Sequence, residues 1–329
     1  MNQQLNCYFF VPGLSEKYRT GGLIVIQDVA KIIGKIPGVQ AQIVTTHEEF
    51  PGALTPGELF DSKNSELNIE KSLFFVTWGP LVAGHIKLIR KKAPGARIIY
   101  YAQSFGWNIK VPPRIPIVCV SRFVMSQWAL YAPENFCTHI PPPLHNYFVF
   151  EDKKRDIDIL VHRRKQNAYC LKKLLPALEK ENLHVEILDE WIRQEQFAAM
   201  LKRTKIFLYV TELHKAGFMR KLPGEGFGLP ALEALACGAL VASNILGGVT
   251  DFLTPGENCI KLQNGNLDFD ITQIKNGLKN FRPNEKEILE IVNQYSYDTV
   301  TAKWRNLLDF VTNVNFGQNF FLDSSVLVL

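Results

Sequence analysis

The chain has 329 residues, of which 47% are hydrophobic and 21% are charged, and its formal net charge is +5 at pH 7. This composition is typical of a globular rather than a disordered protein, and the length suits two domains better than one. The positive charge is too small and too dispersed to indicate nucleic-acid binding. It suits an anionic substrate, an anionic membrane surface or an ordinary solvated surface.

The cysteines indicate a reducing compartment. The six of them are scattered without a CxxC pair, and several lie in apolar runs. Such cysteines are typical of reduced thiols that pack as small hydrophobic residues, so we expect a cytoplasmic protein. The first residues, MNQQLNCYFFVPG, lack the charged region and cleavage site of a signal peptide. No stretch has the roughly 18 uninterrupted apolar residues of a membrane span.

Short apolar segments alternate with segments of helical periodicity in the first part of the chain. The clearest predicted helix covers residues 21–36, because its apolar residues recur at helical spacing. The other predicted elements here are strands at 5–13, 41–46, 71–79, 96–104 and 115–121 and helices at 84–95 and 122–132. This alternation favours a doubly wound parallel sheet, an α/β fold class.

Three consecutive prolines, Pro141–Pro143, precede a charged segment and interrupt the alternation. Because proline stops regular structure and stiffens a connector, we predict a domain boundary after them. The alternation then restarts, with strands at 157–163, 184–188, 205–210 and 239–243 and helices at 170–181 and 195–203. The sequence therefore predicts two α/β domains, residues 1–148 and residues 149–329.

The sequence GEGFGLPALEALACGA at residues 224–239 combines alternating glycines with a short helical run. Pro230 suits the first turn of a helix and Gly238 suits the position just past its end, which predicts a helix at about residues 230–237. The N-terminus of such a helix presents free N–H groups. Gly226 and Gly228 would let the backbone approach a phosphate closely, so the stretch is interpreted as a phosphate cradle.

Glu225 and Glu233 frame this predicted phosphate site. Glu233 lies one turn into the helix and could accept hydrogen bonds from a vicinal diol such as a ribose. Glu225 precedes the helix and could reach hydroxyls of a second group beyond the phosphates. The alternative is a tight strand-to-helix connection whose glutamates face water, but two carboxylates around one loop favour the binding site.

Two other kinds of nucleotide site fit the sequence less well. A dinucleotide-binding fingerprint needs its glycines directly after a strand, whereas here the strand ends near Val210 and a loop intervenes. A metal-dependent GT-A transferase needs an Asp-x-Asp pair that holds a divalent ion. The pairs Asp156–Asp158 and Asp268–Asp270 are interpreted as solvated acids. We therefore predict neither a metal site nor a cofactor.

The stretch EGFGLPALEALACGALVAS, followed by GGVTDFL, resembles the Glu-x7-Glu signature of GT-B glycosyltransferases, in particular the retaining family 4. The resemblance is densest from about Val161 to Leu262. It implies a GT-B fold, with two Rossmann-like domains that face each other across a cleft. The N-terminal domain would bind the acceptor and the C-terminal domain the nucleotide-sugar. The final helices would pack back toward the N-terminal domain.

The resemblance also implies roles for the residues of the signature. Glu225 would contact the donor sugar, and Glu233 would bind the ribose hydroxyls. The backbone of the turn between them would contact sugar or phosphate. That turn consists of Gly226, Phe227, Gly228 and Leu229.

Arg163, Arg164 and Lys165 follow the first strand of the second domain and join Glu225 as predicted catalytic residues. A departing nucleoside diphosphate accumulates negative charge that arginine and lysine can stabilise, and open α/β sheets bind ligands outside the carboxyl ends of their strands. An exposed basic turn is the alternative.

Gly21–Gly22 looks like the family's glycine loop, which faces the donor diphosphate. The alternative is a plain helix start.

Candidate acceptor residues lie near strand ends in the first domain. Gln103 and Ser104 stand where the family often has a histidine, and Gln103 could substitute for it as a hydrogen-bonding group. Trp78 and Trp107 could form a platform on which a sugar face stacks. Each tryptophan could equally be an ordinary core or rim residue.

These observations predict a hexosyltransferase-like enzyme that moves a sugar from a nucleotide-diphosphate donor to an acceptor hydroxyl. The resemblance implies retention of configuration without a metal and a role in surface polysaccharide or glycolipid synthesis. The acceptor would be a glycan, a lipid-linked sugar or a small molecule. Lys87 and Arg90–Lys92 could touch an anionic membrane from the cytoplasmic side, or form a solvated helix end. The alternatives are a non-catalytic partner subunit that binds a nucleotide-sugar or glycan, and a GT-B epimerase or phosphorylase.

Overall fold

The computed structural model describes residues 4–61, 69–77, 79–105, 109–216, 220–223 and 225–313. Its contacts divide the chain into two compact units. The first unit consists of residues 1–143 and the C-terminal segment from Tyr297, and the second of residues 144–296. Each unit is built on its own parallel sheet.

The described strands and helices follow the alternation that the sequence predicts. The strands are β1 (Leu5–Val11), β2 (Val39–Thr45), β3 (Leu73–Val76), β4 (Arg97–Ala102), β5 (Ile117–Cys119), β6 (Cys137–His139), β7 (Ile157–His162), β8 (Val185–Leu188), β9 (Thr204–Tyr209), β10 (Leu213–Ala216), β11 (Arg220–Pro223), β12 (Leu240–Ser243) and β13 (Cys259–Lys261). The helices are α1 (Gly21–Gly34), α2 (Pro56–Leu59), α3 (Val82–Lys92), α4 (Arg122–Tyr131), α5 (Leu175–Leu178), α6 (Gln194–Leu201), α7 (Leu229–Ala236), α8 (Leu267–Lys279), α9 (Glu285–Gln294) and α10 (Tyr297–Asn313).

The first unit contains a six-stranded sheet in the order β2–β1–β3–β4–β5–β6, in which neighbouring strands are parallel. Its central strands are apolar on both faces because helices cover both sides of such a sheet. Phe9 and Phe75 stack across neighbouring strands with ring centroids 4.3 Å apart. Trp304 of α10 meets Phe75 and Tyr101 edge-on, at 5.8 and 5.3 Å. The last described helix is therefore part of the core of the first unit.

The second unit contains a five-stranded sheet in the order β13–β12–β9–β7–β8, again with parallel neighbours. The strand order reverses at β7, since β8 lies on one side of it and β9 on the other. Ligands of open α/β sheets bind outside the carboxyl ends of the strands at such a reversal. The carboxyl ends of β7 and β9 are therefore the first place to look for a site.

Some local structure differs from the sequence prediction. Residues 211–224, predicted as a loop, contain the antiparallel pair β10–β11. The short elements α2 and β6 were not predicted, because their four and three residues are too few to show a period. None of the helices in the described ranges combines the length and apolar character needed to cross a bilayer.

Candidate functional site

The glycines before α7 allow two turns of the second unit to pack backbone to backbone. Gly228 caps α7 with φ of +93°, and a Cβ built there would lie 2.3 Å from Val249 Cγ1. A Cβ at Gly248 would lie 2.1 Å from the carbonyl oxygen of Gly226. The Gly248 N–H donates to the carbonyl of Glu225 at 3.0 Å. The sequence interpretation assigned Gly228 to close approach of a ligand, but the protein itself already requires glycine there.

Helix α7 begins at Leu229, one residue before the predicted start, and Pro230 lies in its first turn. At its end Gly238 adopts φ of +80°, as the sequence predicts. Its N–H donates to Leu235 O at 2.8 Å, and the next N–H, of Ala239, donates to Ala234 O at 2.9 Å. These two bonds form a Schellman motif, which satisfies carbonyl groups at the helix end. Both ends of this short helix are therefore fixed by the residues that predicted it.

Glu225 lies at the carboxyl end of β9, where two side chains address the same carboxylate oxygen. The hydroxyl of Tyr209, the last residue of β9, donates a hydrogen bond to Glu225 Oε2. Lys165 Nζ lies 3.6 Å from this Oε2 atom. Among the described residues, the other oxygen, Oε1, accepts only a long 3.5 Å bond from the Phe227 N–H. One edge of the carboxylate is therefore held by the protein, and the other can accept a ligand hydroxyl.

Glu233 is buried on α7, with 6% of its surface exposed. Burial raises the pKa of its carboxyl to about 8, and the nearby positive charge of Lys165 opposes this rise. No hydrogen bond from another described residue reaches the carboxyl group. Buried carboxyl groups normally have partners, so this group is suited to hydrogen bonds with a ligand.

The three basic residues after β7 form a single turn of 3₁₀ helix, but their side chains have different surroundings. Lys165 reaches Glu225, as described above. Arg163 Nε donates to Asp189 in an ion pair that is about half exposed. Arg164 is exposed. The structure therefore brings Lys165 to the glutamates and directs Arg163 to Asp189.

Side-chain amides brace the carboxyl ends of β7, β9 and β12. Gln166 Nε2 donates to Leu208 O at 3.0 Å, and its Oε1 accepts from the Val210 N–H at 2.8 Å. Asn244 accepts from the Thr211 N–H at 3.0 Å and donates to Thr211 O at 2.9 Å. These residues were not predicted. Polar amides directly after buried strands are the sequence signal that could have found them.

In the first unit, the predicted residues Gly22 and Gln103 lie together. Gln103 Nε2 donates to Gly22 O at 2.7 Å, and a Cβ at Gly22 would lie 2.3 Å from Gln103 Oε1. Gly21, the first residue of α1, has open space around its Cβ position. Ser104 O accepts from the Trp128 indole at 3.0 Å. Gly22 therefore has a packing reason that sequence reasoning did not provide.

Two of the predicted acceptor residues, Trp78 and Trp107, lie outside the described residues. A residue that sequence reasoning missed is Glu48, which follows β2. Its Oε1 accepts from the N–H groups of Leu14 and Ser15 at 2.5 and 2.8 Å, and its Oε2 accepts from Ser15 Oγ at 2.7 Å. Glu48 thereby fixes the connection from β1 to α1, which leads to Gly21–Gly22.

Three of the four aspartates considered for a metal have partners within the protein. Asp156 pairs with Arg203, and Asp158 with Lys205 at 2.7 Å. The expectation of a solvated Asp270 is wrong, because this side chain is fully buried. It accepts hydrogen bonds from the N–H groups of Gln263 and Asn264 and from the Tyr169 hydroxyl, at 2.7, 3.1 and 2.8 Å. Within the described ranges, no cluster of three His, Cys, Asp or Glu side chains has a metal-binding arrangement.

Comparison with known proteins gave a family match and structural neighbours. Residues 164–306 match the family model described as Glycosyl transferase-like. A comparison with curated protein sequences found no significant match. The matched segment begins within the basic turn and includes both Glu225 and Glu233.

Several solved structures share the architecture over nearly the whole chain. HepE from Anabaena, in complex with UDP-glucose, has a TM-score of 0.66 at 12% identity, covering 93% of this chain and 100% of its own. Sucrose-phosphate synthase from Thermosynechococcus elongatus has a TM-score of 0.63 at 12% identity, covering 93% and 99%. AviGT4, a glycosyltransferase involved in avilamycin A biosynthesis, has a TM-score of 0.63 at 11% identity, covering 94% and 98%. Together with the two parallel-sheet units, these likenesses show that the chain has the predicted GT-B fold.

Proposed function

We propose that this protein is a glycosyltransferase that moves a sugar from a nucleotide-diphosphate donor to an acceptor hydroxyl. The observation that supports this best is the grouping of Lys165, Glu225 and Glu233 near the carboxyl ends of β7 and β9, where the strand order of the second sheet reverses. An ammonium group there can meet a diphosphate, and two separate carboxyl groups can accept hydrogen bonds from hydroxyls on either side of it. The family match over residues 164–306 supports the same assignment.

Each residue would have its own role in transfer. Lys165 would stabilise the charge that develops on the departing diphosphate. Glu225 would orient the donor sugar through its free oxygen, and Glu233 would accept hydrogen bonds from the ribose. Because Tyr209 and Lys165 occupy one oxygen of Glu225, this carboxylate is better suited to orientation than to nucleophilic attack.

The proposal includes retention of anomeric configuration and independence of a metal. The leaving phosphate oxygen would accept the proton of the acceptor hydroxyl, on the same face of the sugar that the donor bond leaves. The first unit would bind the acceptor near Gln103 and Ser104. Among the structural neighbours, HepE is recorded with UDP-glucose, so UDP-glucose is the first donor to test.

A thermal-shift panel tests the donor site. UDP, GDP, dTDP, ADP and CMP are each added with magnesium and, separately, with EDTA. A ligand that binds only the folded state raises the melting temperature. We expect one nucleoside diphosphate to raise it equally with either addition. Stabilisation only with magnesium would contradict metal independence, and no stabilisation at all would contradict the donor site.

Substitution of the two glutamates then tests turnover. Glu225→Ala should nearly abolish transfer, measured by release of nucleoside diphosphate from the donor, while largely sparing binding of that diphosphate. Glu233→Ala should weaken nucleotide binding. Full turnover by Glu225→Ala would show that the assignment is wrong. Slow hydrolysis of the donor by the wild type, absent in Glu225→Ala, would separate the enzyme from a non-catalytic binding subunit.

A further inference from the structure

An exposed indole lies at the carboxyl end of β8, next to the candidate donor site. Trp191 has 43% of its surface exposed, and it is the largest apolar side chain exposed in the described part of the chain. A tryptophan buries a large apolar area when it has a partner, so an exposed indole beside a ligand site offers a surface on which a ring can stack.

A buried histidine supports the inner side of this indole. The ring centroids of His162 and Trp191 are 4.7 Å apart, with their planes inclined by 59°. His162 is 3% exposed, and neither of its ring nitrogens has a hydrogen-bond partner among the described residues. Burial, together with Lys165 and Arg164, lowers the pKa of this imidazole, which favours its neutral form. His162 therefore packs beneath the indole and supports it, while the other side of the indole remains exposed.

Lys165 links the indole to the glutamates. Its Nζ lies 6.0 Å from the centroid of the Trp191 ring and 3.6 Å from Glu225 Oε2. These two distances from one atom limit the separation of the ring centroid and Glu225 Oε2 to 9.6 Å. The ammonium group therefore has a carboxylate on one side and an aromatic face on the other.

We propose that Trp191 forms the nucleobase subsite of the donor, in which the base stacks on the exposed side of the indole while His162 supports the opposite side. This inference rests on the proposed function. A nucleotide-sugar carries its diphosphate in the middle, a sugar at one end and a base at the other. With the diphosphate at Lys165, Glu225 takes the sugar end and Trp191 takes the base end.

The alternative occupant of an aromatic face is a sugar ring, and the experiment separates the two. Binding of UDP, GDP, ADP, inorganic pyrophosphate and glucose 1-phosphate is measured by calorimetry with the full-length protein. The variants are Trp191→Ala, Trp191→Phe and His162→Phe. The last variant keeps an aromatic ring against the indole but lacks the two imidazole nitrogens. Tyr131→Ala, which removes an aromatic side chain that is 59% exposed in the first unit, is the matched control.

We expect Trp191→Ala to weaken the best nucleoside diphosphate about tenfold or more, since base–aromatic stacking has about this effect. Trp191→Phe and His162→Phe should both retain most of the affinity, because each keeps an aromatic ring in its place. Pyrophosphate and glucose 1-phosphate should bind all variants alike, and Tyr131→Ala should match the wild type.

Three results would overturn the inference. If Trp191→Ala leaves nucleoside diphosphates unchanged while Glu233→Ala weakens them, the base lies elsewhere but the proposed function stands. If Trp191→Ala weakens glucose 1-phosphate instead, the indole holds the sugar. If the wild type binds none of the nucleoside diphosphates, both the subsite and the proposed function are wrong.

Discussion

The hydroxyl of Tyr209, fully buried at the end of β9, donates a hydrogen bond to Glu225 Oε2. This oxygen also faces Lys165, so the carboxylate is oriented from one side by two groups that do not depend on a ligand. Burial is the main cause that raises the pKa of the phenol, followed by the charge of Glu225, so Tyr209 acts as a donor throughout the neutral range. Tyr209 is therefore a positioning residue that acts through Glu225.

Tyr209→Phe should impair use of the donor without impairing binding of the nucleoside diphosphate. A hydrogen bond to a charged group contributes about 1.5–3 kcal/mol, which corresponds to a loss of about 10- to 100-fold in kcat/KM for the nucleotide-sugar. The dissociation constant of the free nucleoside diphosphate should stay within about threefold of wild type, because that ligand lacks the sugar oriented by Glu225. Steady-state kinetics and calorimetry measure the two quantities.

Tyr169→Phe is the matched control for this prediction. Tyr169 donates to the buried carboxylate of Asp270 at 2.8 Å in the same unit, so its replacement removes a similar bond outside the candidate site. We expect this control to lower the stability and to leave kcat/KM nearly unchanged. Equal losses of kcat/KM in the two variants would show that Tyr209 has only a structural role.

Lys165 and Arg163 should differ in their effect on transfer, although they lie two residues apart. Lys165 faces both glutamates, whereas Arg163 forms a half-exposed pair with Asp189. Removal of a charge that stabilises a leaving group costs about 100-fold or more in turnover, and exposed ion pairs contribute at most about 1 kcal/mol. We expect Lys165→Ala to lower kcat by at least about 100-fold and Arg163→Ala by less than about fivefold.

The same donor-turnover assay measures both variants, with Asp189→Ala as the control that releases Arg163 from its pair. If Arg163→Ala were the more damaging substitution, the arginine would have to leave Asp189 in the working enzyme. That result would reverse the assignment of the diphosphate to Lys165.

Glu233 should make stability fall as pH rises. Its pKa is about 8 in the folded protein against 4.5 for an ordinary glutamate. The folded state therefore holds this proton more tightly than the unfolded state. The resulting stabilisation is complete below about pH 4.5 and is lost as pH rises through about 8. The glutamine of Glu233→Gln cannot ionise, so this variant lacks the pH-dependent loss. The free energy of unfolding of the variant minus that of wild type should therefore rise by at most about 1.4 kcal/mol per pH unit across this window.

Urea unfolding of both proteins between pH 5 and pH 9 measures this difference. Glu257→Gln, at an exposed position in the same unit, is the control for replacing a glutamate by glutamine. A difference between Glu233→Gln and wild type that does not change with pH would mean that the Glu233 carboxyl is ionised in the folded protein throughout this range.

The sheets and α7 could be predicted from sequence because their signals are local. The apolar run of β9 and the Pro230 and Gly238 boundaries of α7 each depend on residues within one element. Tyr209 was missed because, within the apolar run, a tyrosine has the pattern of a core residue. Its partner Glu225 lies 16 positions later, in a different turn.

Long-range partners also explain the other differences. Asp270 lies in a polar stretch that is typical of a solvated loop, yet Tyr169, which donates to it, is 101 positions away. Arg163 and Lys165 look equivalent in the sequence, but they have different partners in the structure. Arg163 pairs with Asp189 and Lys165 with Glu225, and these two acids follow different strands. Local periodicity carries no information about such pairings, which depend on the order of strands in the sheet.

Gly228→Ala should destabilise the second unit more than an alanine at another glycine of the same backbone conformation. Gly228 has φ of +93° and a contact of 2.3 Å between its Cβ position and Val249, whereas Gly256 has φ of +83° and open space. The left-handed conformation costs a non-glycine residue about 1–2 kcal/mol at both sites, and overpacking adds about 1–3 kcal/mol at Gly228 alone. The urea midpoint should therefore fall further for Gly228→Ala than for Gly256→Ala.

Adding Val249→Ala should recover part of the difference, because it removes the atom that the new Cβ meets. Equal effects at the two glycines would mean that the turn before α7 moves away from Val249 without cost, and that the close packing of the two turns adds nothing to stability.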